Sequence, residues 1–377
     1  MIIDYIRYIL LASTVFISSI TDEAPPVAAV NAPDSTSVTL LFAGDIMQHG
    51  PQIEAAWSEA DSTWNYHPCF KYVKPIISAY DIAIANLEVT LAGKPFTGYP
   101  QFSAPDELAV AARDAGFDVL ATANNHSCDR GKAGLLRTLN VLDSLGIKRT
   151  GTFRDSADMT GHHPLIITKN DITIALLNYT YGTNGLPVYA PTIVNLIDSS
   201  RVVNDLKAAR NPGVDFVLVF FHWGNEYQSF QSKEQETLAR ICRENGADAV
   251  IGSHPHVIQP MEYFAPDNTN PTGHLLVYSL GNYVSNQRDR FRDGGVMIGF
   301  TLSKTWNKKT VLNPEYRLNW VYTPYENGRK RYYILPVNQF ENDTTLDAFS
   351  QAAIRQFAKD SRELFGKENV NVIEKLF

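Results

Sequence analysis

Four of the nine histidines lie at or close behind the ends of short apolar runs, and they are His126, His222, His254 and His256. Carboxylates and amides hold equivalent positions, namely Asp45, Glu88, Asn124 and Asn125. Imidazole, carboxylate and amide donors without a thiolate cluster suit Zn, Mn, Fe or Ni rather than an electron-transfer copper site. The sequence therefore predicts a site for one or two divalent ions.

The pair His254 and His256 is the strongest single signal. Side chains alternate along an extended segment, so this spacing predicts that both imidazoles lie on the same side. The other residues have structural alternatives: Asp45 in a turn, Asn124–Asn125 in a turn or helix cap, and His222 in the core. Their shared position at strand ends favours a binding site over these separate explanations.

Two carboxylates, one amide and three histidines supply enough donors for two ions that share a carboxylate. Two ions about 3.5–4 Å apart clamp an anionic oxygen and lower the pKa of bound water. His126 would then be free to protonate a leaving group as a general acid. This donor set predicts hydrolytic chemistry.

Short apolar runs bounded by turn residues predict buried strands that would bring these residues together. The predicted strands are Val38–Gly44, Ile82–Leu87, Phe117–Ala123, Ile172–Leu177, Val214–Phe221, Ala247–Gly252 and Leu275–Leu280. Helices are predicted at Asp106–Ala115, Lys132–Leu145, Ser200–Arg210 and Ser232–Glu244, with Asp106 and Ser200 as N-caps. This alternation predicts an α/β fold whose ligand crevice lies at the carboxyl ends of the strands.

The last third of the chain is less helical. Antiparallel strands are predicted at Val296–Leu302, Tyr316–Thr323 and Arg331–Leu335, followed by a helix at Asp343–Leu364. No Pro/Gly-rich break divides the chain after Val38, so residues 38–377 are expected to form one domain.

The first twenty residues differ from the rest. The apolar stretch Tyr8–Ile20 follows Arg7 and has the length of a secretory h-region, which predicts a signal peptide and an exported protein. An uncleaved membrane anchor and a buried helix are the alternatives. Residues 21–37 have the composition of a linker. Any membrane contact is expected only through the N-terminal segment, and the protein is expected in the periplasm or cell envelope.

Composition excludes several classes. The 377 residues carry 33 Lys and Arg against 40 Asp and Glu, a net charge of −7, so nucleic acid is not the expected partner. Three cysteines rule out a disulfide scaffold. GxxxxGK[ST], GxGxxG and GxSxG do not occur, which argues against P-loop, dinucleotide-binding and nucleophile-elbow enzymes.

Six sequence blocks resemble the CapA/PgsA family, which is associated with poly-γ-glutamate capsule synthesis and is similar to the calcineurin-like metallophosphoesterases. The blocks are GDIM (Gly44–Met47), NLE (Asn86–Glu88), NNHSCDRGKAGL (Asn124–Leu135), HWGNEY (His222–Tyr227), GSHPHVIQPME (Gly252–Glu262) and YSLGNYV (Tyr278–Val284). The resemblance implies a four-layer α/β/β/α sandwich of two mixed sheets flanked by helices.

The resemblance also implies a role for each donor. The first ion would take Asp45 and His256, the second would take Asn125, His222 and His254, Glu88 would bridge them, and His126 would be the catalytic histidine. Asn124, Asp129, Glu226 and Tyr227 would orient these groups or contact substrate.

Met47 departs from the phosphoesterase pattern, which has histidine at this position. A thioether is a poor ligand for hard divalent ions, so the first site lacks one donor. His49 could replace it, but its expected place is a surface loop. A single-metal enzyme, or a weakly occupied first site, stays open.

Two further positions carry alternatives. Asp129 could instead be the N-cap of the helix predicted at Lys132–Leu145. Arg288 begins a run of three arginines that is expected in a solvated loop, although it could hold a phosphate or polyanion near the metals.

The sequence thus predicts an exported, metal-dependent hydrolase that acts on a phosphoester or an anionic polymer. One alternative is a non-catalytic component of a capsule or polymer synthesis and export complex. Another is a metal-dependent amide hydrolase or transferase that acts on poly-γ-glutamate.

Overall fold

The computed structural model describes residues 35–376 except residue 269. The predicted signal or anchor segment and most of the predicted linker lie outside the described residues. The linker was predicted to reach Ser37, but the first strand already begins at Thr36. Among the described residues, no helix combines the length and apolar character needed to cross a membrane.

The strands, numbered in chain order, are β1 Thr36–Ile46, β2 Trp57–Ser58, β3 Thr63–Trp64, β4 Ile82–Leu87, β5 Val119–Ala121, β6 Lys148–Thr150, β7 Thr152–Phe153, β8 Leu165–Lys169, β9 Ile172–Thr180, β10 Ile193–Val194, β11 Phe216–His222, β12 Ala249–Ser253, β13 Met261–Phe264, β14 His274–Val277, β15 Asn282–Val284, β16 Gly294–Lys304, β17 Lys309–Tyr322, β18 Tyr325–Glu326, β19 Arg329–Lys330, β20 Tyr333–Pro336 and β21 Ile373–Glu374. The helices are α1 Gly50–Ala56, α2 His67–Phe70, α3 Lys74–Ile77, α4 Glu107–Ala115, α5 Gly131–Ser144, α6 Ser156–His162, α7 Ser199–Ala209, α8 Lys233–Glu244, α9 Val337–Phe340 and α10 Ala348–Glu368.

Two mixed sheets carry most of these strands. The larger has the order β20-β17-β16-β1-β4-β5-β6, with β15 beside β1 and β21 beside β17. Strands β1, β4, β5 and β6 are parallel, whereas β16, β17 and β20 form an antiparallel extension. The smaller sheet has the order β13-β14-β12-β11-β9-β8, and its strands β9, β11, β12 and β14 are parallel.

The two sheets pack face to face through one apolar core. Phe42 of β1 meets Phe220 of β11 edge-to-face, with ring centroids 5.4 Å apart, and both side chains are fully buried. The opposite face of β1, at Leu41, packs with residues of α1 to α5, and the opposite face of β11, at Val219, packs with α7 and α8. Because side chains alternate along a strand, each of these apolar strands contributes residues both to the core between the sheets and to the core between its sheet and the helices. The predicted α/β/β/α sandwich is confirmed.

Several predicted element bounds are wrong. The final helix expected at Asp343–Leu364 is present as α10, but it begins at Ala348 and runs on to Glu368. Ser200 lies inside α7, whose N-cap is Asp198, with its carboxylate accepting the Arg201 N–H. Asp106 is at the N-cap of α4 but makes no capping bond, because its carboxylate pairs with Arg137 at 2.6 Å.

Candidate metal centre

Five strand ends meet where the two sheets face each other. Asp45 lies near the end of β1, Glu88 follows β4, Asn125 follows β5, His222 ends β11 and His254 follows β12. Each of these side chains is buried. The larger sheet therefore supplies the carboxylates and the amide, and the smaller sheet supplies imidazoles.

Glu88 belongs to two potential ligand groups. It forms one with His222 and His254 and another with Asp45 and His256, and in each the donor atoms lie within 4.8 Å of one another. Glu88 Oε1 lies 3.5 Å from His222 Nε2 and 3.8 Å from His256 Nε2. This oxygen is buried yet has no hydrogen-bond partner among the described residues. An unpaired carboxylate oxygen between two donor groups fits a bridging metal ligand, so the residues present suit divalent ions.

Burial sets the charge state of these donors. It lowers the pKa of His222 to about 3 and that of His254 well below its ordinary value, so both imidazoles are neutral and ready to bind metal. Burial, together with the nearby Asp45 carboxylate, raises the pKa of Glu88. Burial also opposes ionisation of Asp45, but the hydrogen bond and charge of His256 outweigh it and lower the Asp45 pKa. A bound cation would favour the Glu88 carboxylate.

The group of Asp45, Glu88 and His256 has three potential donors. Met47 is 2% exposed and packs in the core between the larger sheet and its helices. In the group of Glu88, His222 and His254, by contrast, Asn125 Oδ1 lies 2.9 Å from His222 Nε2 and adds a fourth potential donor. The two groups are therefore unequal.

His49 was predicted in a surface loop, and this is wrong. It is half-buried at the N-cap of α1, where its Nδ1 lies 3.2 Å from Gln52 Oε1 and 3.3 Å from the Asn286 N–H nitrogen. Burial, with the charges of His256 and His126, lowers the pKa of His49 to about 4. Its imidazole therefore lies beside the candidate metal centre.

The His254–His256 segment is not extended, so the alternation argument for this pair is wrong. The φ angles are +100° at His254 and +58° at His256, in the region that non-glycine residues rarely adopt. The ring centroids are nevertheless 5.9 Å apart, because the turn after β12 brings both rings to the site. Such conformations persist where the surrounding structure enforces them, often at functional sites.

His126 is held by Asp129. The Asp129 Oδ2 atom lies 2.7 Å from His126 Nδ1 and also accepts the Phe102 N–H at 2.7 Å. The Phe102 ring packs edge-to-face on the imidazole at 4.5 Å. The alternative role of Asp129 as an N-cap is wrong, because α5 begins at Gly131 with Arg130 at its N-cap. Nε2 of His126 is left for proton transfer.

Sequence reasoning gave no role to Asn86, which lies at the centre of the site. Its Nδ2 lies 2.8 Å from Asp45 Oδ1 and 3.2 Å from His222 Nδ1. Asn124 donates to the Asn86 Oδ1 atom at 3.2 Å and to the Leu87 carbonyl at 2.8 Å, so it braces this strand end. A signal was available, because an amide inside the apolar run IAIANL is unusual and shares the face of Glu88.

Glu226 and Tyr227 lie at the rim. The exposed Glu226 forms a third potential ligand group with His254 and His256, so it can serve as a ligand and not only as an orienting group. The Tyr227 ring lies 6.0 Å from that of His256. Tyr181, which the sequence did not single out, is half-exposed and packs on His254 with ring centroids 4.5 Å apart.

The sequence predicts that the three arginines after β15 lie in a solvated loop. In the structure they do not share one solvated environment. Arg288 is partly buried, with its cation 5.5 Å from the centre of the Trp320 ring. Arg290 forms a bidentate pair with Asp360 of α10 at 2.7 Å. Arg292 lies 4.3 Å from the centre of the Tyr227 ring. These side chains have separate surroundings, and only Arg292 contacts the rim residues named above.

An α/β/β/α sandwich with imidazole and carboxylate donors at facing strand ends defines the structural class of this protein. The chain belongs to the family described as bacterial capsule synthesis protein PGA_cap, whose profile matches residues 39–287. It is 29% identical over 289 residues to the PGA biosynthesis protein CapA of Bacillus subtilis, covering 72% of this chain and 70% of that one. It is 26% identical over 272 residues to the capsule biosynthesis protein CapA of Bacillus anthracis, covering 69% and 63%.

Solved structures with a related arrangement include a phosphatase from Mycoplasma pneumoniae, at 16% identity and a TM-score of 0.46 over 75% of this chain and 93% of that chain. Another is the calcineurin-like phosphoesterase YfkN from Bacillus subtilis, at 12% identity and a TM-score of 0.44 over 88% and 99%. The family match confirms the resemblance that the motif blocks predicted.

Proposed function

We propose that this protein is a metal-dependent hydrolase of the phosphoesterase type, which acts on a phosphoester or an anionic polymer of the cell envelope. One observation carries the proposal: the buried Glu88 Oε1, which has no hydrogen-bond partner among the described residues, lies within 4 Å of an imidazole from each of two potential ligand groups. A purely structural glutamate would be paired, because a buried carboxylate oxygen without a partner is costly.

Asp45, Glu88 and His256 would hold one ion, and Glu88, His222, His254 and Asn125 would hold the other. When bound, divalent ions polarise a phosphoryl oxygen and neutralise the charge that develops on it. His126 would donate a proton from Nε2 to the departing oxygen, while Asp129 fixes the ring through Nδ1. Asn86 and Asn124 keep the two carboxylates at their strand ends.

The cellular setting is part of the proposal. The two matched relatives are named for PGA biosynthesis and for capsule biosynthesis, which supports an envelope location and an envelope polymer as substrate. We infer that residues 1–20 direct export or anchor the protein, and that it works beside an envelope polymer-synthesis complex.

Hydrolysis of p-nitrophenyl phosphate and bis-p-nitrophenyl phosphate by the full chain tests the activity, with Mn or Zn added. His254→Ala and His126→Ala should each lower kcat by about 100-fold or more. His67→Ala, at a side chain that is 53% exposed, is the control and should retain activity. Activity that is indifferent to both site variants, or a metal-loaded chain that hydrolyses neither compound, would overturn the proposal.

A further inference from the structure

A lysine and an arginine lie near Asn286, the residue whose backbone N–H points to His49. Lys330 Nζ donates to Asn286 Oδ1 at 2.8 Å and lies 5.0 Å from the centre of the Tyr332 ring. Arg288 follows Asn286 by two residues along the chain. Burial, together with the charge of Arg288, lowers the pKa of Lys330. We call Arg288 and Lys330 the basic pair.

Neither member of the basic pair has a carboxylate oxygen within 4.0 Å among the described residues, unlike Arg290 with Asp360. Arg288 Nη1 is buried and has no hydrogen-bond partner in the part of the chain that the structure describes. The Asp293 carboxylate is near enough to favour the charged form of Arg288, but it accepts the Trp320 Nε1–H at 2.6 Å. Two close cations repel each other. An anion between them would reduce this repulsion and would accept a hydrogen bond from Arg288 Nη1.

Asn286 connects the basic pair to the candidate metal centre. Its backbone N–H points to His49 Nδ1 at 3.3 Å, and its side chain accepts from Lys330. The His49 ring in turn meets the Phe102 ring edge-to-face at 5.5 Å, and Phe102 packs in the same way on His126 at 4.5 Å. The strand before this loop, β15, lies beside β1 with Asn282 opposite Asp45. The basic pair therefore lies at the same edge of the larger sheet as the metal ligands.

We propose that Arg288 and Lys330 form a subsite for a second anionic group of the substrate, a carboxylate or a phosphate. This inference rests on the proposed function and narrows the substrate to molecules with at least two anionic groups, as in a repeating polyanion. A guanidinium offers paired donors that match planar or tetrahedral oxyanions, and an ammonium adds a point charge.

Binding of small polyanions to the full chain tests the subsite. Titration calorimetry in EDTA, which removes divalent ions, would use pyrophosphate and citrate as the phosphate and carboxylate probes. Lys330→Gln and Arg288→Met should each weaken binding of at least one probe fivefold or more. Lys308→Gln, at an exposed lysine on another loop, is the matched control and should change binding less than twofold.

The probe that the variants bind more weakly identifies the anion as phosphate or carboxylate. Weaker binding of either probe supports the subsite. If Arg288→Met does not fold, the Lys330→Gln variant alone tests the subsite. This variant should fold, because Lys330 is partly exposed and glutamine keeps a hydrogen-bonding group. Equal affinities in the wild type and Lys330→Gln, or no binding of either probe to the wild type, would overturn the inference. Since the titration needs neither metal nor turnover, its outcome is separate from that of the hydrolysis assay.

Discussion

Asp129 gives the clearest example of one residue controlling another in this site. Its Oδ2 atom accepts from both the His126 ring and the Phe102 backbone, so the carboxylate fixes the imidazole relative to a rigid loop. Partners that orient an active imidazole commonly matter 10- to 100-fold although they contact no substrate. Asp129 is therefore a positioning residue.

Replacing Asp129 with asparagine should lower kcat by roughly 10- to 100-fold and change KM less than twofold. The amide keeps the size of the side chain, and its oxygen can take the place of Oδ2 and accept from both His126 and Phe102. It carries no charge, however, and so cannot stabilise the protonated imidazole that acts as the acid. Steady-state kinetics with p-nitrophenyl phosphate measures this. Asp61→Asn at an exposed position is the control, and a kcat like that of the wild type for Asp129→Asn would contradict the assigned role.

At the scale of elements, the loop that carries His126 is fixed by strand β9. Asn178 Oδ1 accepts the Ala123 N–H at 2.8 Å, directly before the Asn124–His126 segment. Gly151, between β6 and β7, has φ of +109°, and a Cβ there would lie 2.0 Å from Asn178 Oδ1 and 2.5 Å from the Ala123 nitrogen. The turn at Gly151 therefore has to be glycine for this contact to form.

The substitution Gly151→Ala should reduce the free energy of unfolding by roughly 2 kcal/mol or more, because of overpacking and the positive φ. Gly161→Ala in α6 is a matched control, since a Cβ there meets no atom within 4 Å, and it should change stability by less than about 0.5 kcal/mol. Urea unfolding of both variants measures the difference. Equal stability of the two would show that the Gly151 contact is not required.

The apolar strands and their polar ends could be predicted because burial on both faces leaves a clear local pattern, as in Val214–Phe221 and the observed β11. Features that depend on tertiary contacts could not be predicted from the sequence. The positive φ of His254 arises from a turn packed between two sheets, and Arg288 is partly buried against Trp320 of a distant strand. Asn86 was overlooked because its partner Asp45 lies 41 residues away in sequence.

At the scale of the whole molecule, buried histidines make folding sensitive to acid. Burial lowers the pKa of His274 to about 4, with its Nδ1 held by the Ala247 carbonyl at 2.9 Å. In the unfolded chain the imidazole pKa is about 6.5. Since the folded pKa is lower, the unfolded chain takes up the proton first. The stability that a neutral His274 contributes is present above pH 6.5 and is lost as the pH falls toward 4.

Between pH 7 and pH 5, the free energy of unfolding of the wild type should therefore fall, with His274 accounting for roughly 2 kcal/mol. The variant His274→Leu should lose correspondingly less over the same interval. Urea titrations in EDTA at the two pH values measure this, and comparing the chains cancels the effects of the other titrating groups. Equal pH dependence in both chains would contradict the assignment.

The net charge of −7 says little about what this protein binds, because the crevice is lined by imidazoles and carboxylates that could hold divalent ions. Ions held there would dominate the local field and attract anions despite the acidic surface. Such a pair of ions requires that Glu88 join the two ligand groups.

Metal stoichiometry of the full chain, measured by mass spectrometry after loading with Mn or Zn and dialysis, tests this claim most directly. We expect one tightly held ion and a second, weaker one in the three-donor group of Asp45, Glu88 and His256. Glu88→Gln should lose both ions, and the control His67→Ala should retain both. Glu88→Gln preserves the shape of a side chain whose carboxylate is already disfavoured by burial, so the fold should persist. A wild-type chain that holds no divalent ion, or a Glu88→Gln variant that holds as many as the wild type, would contradict the account.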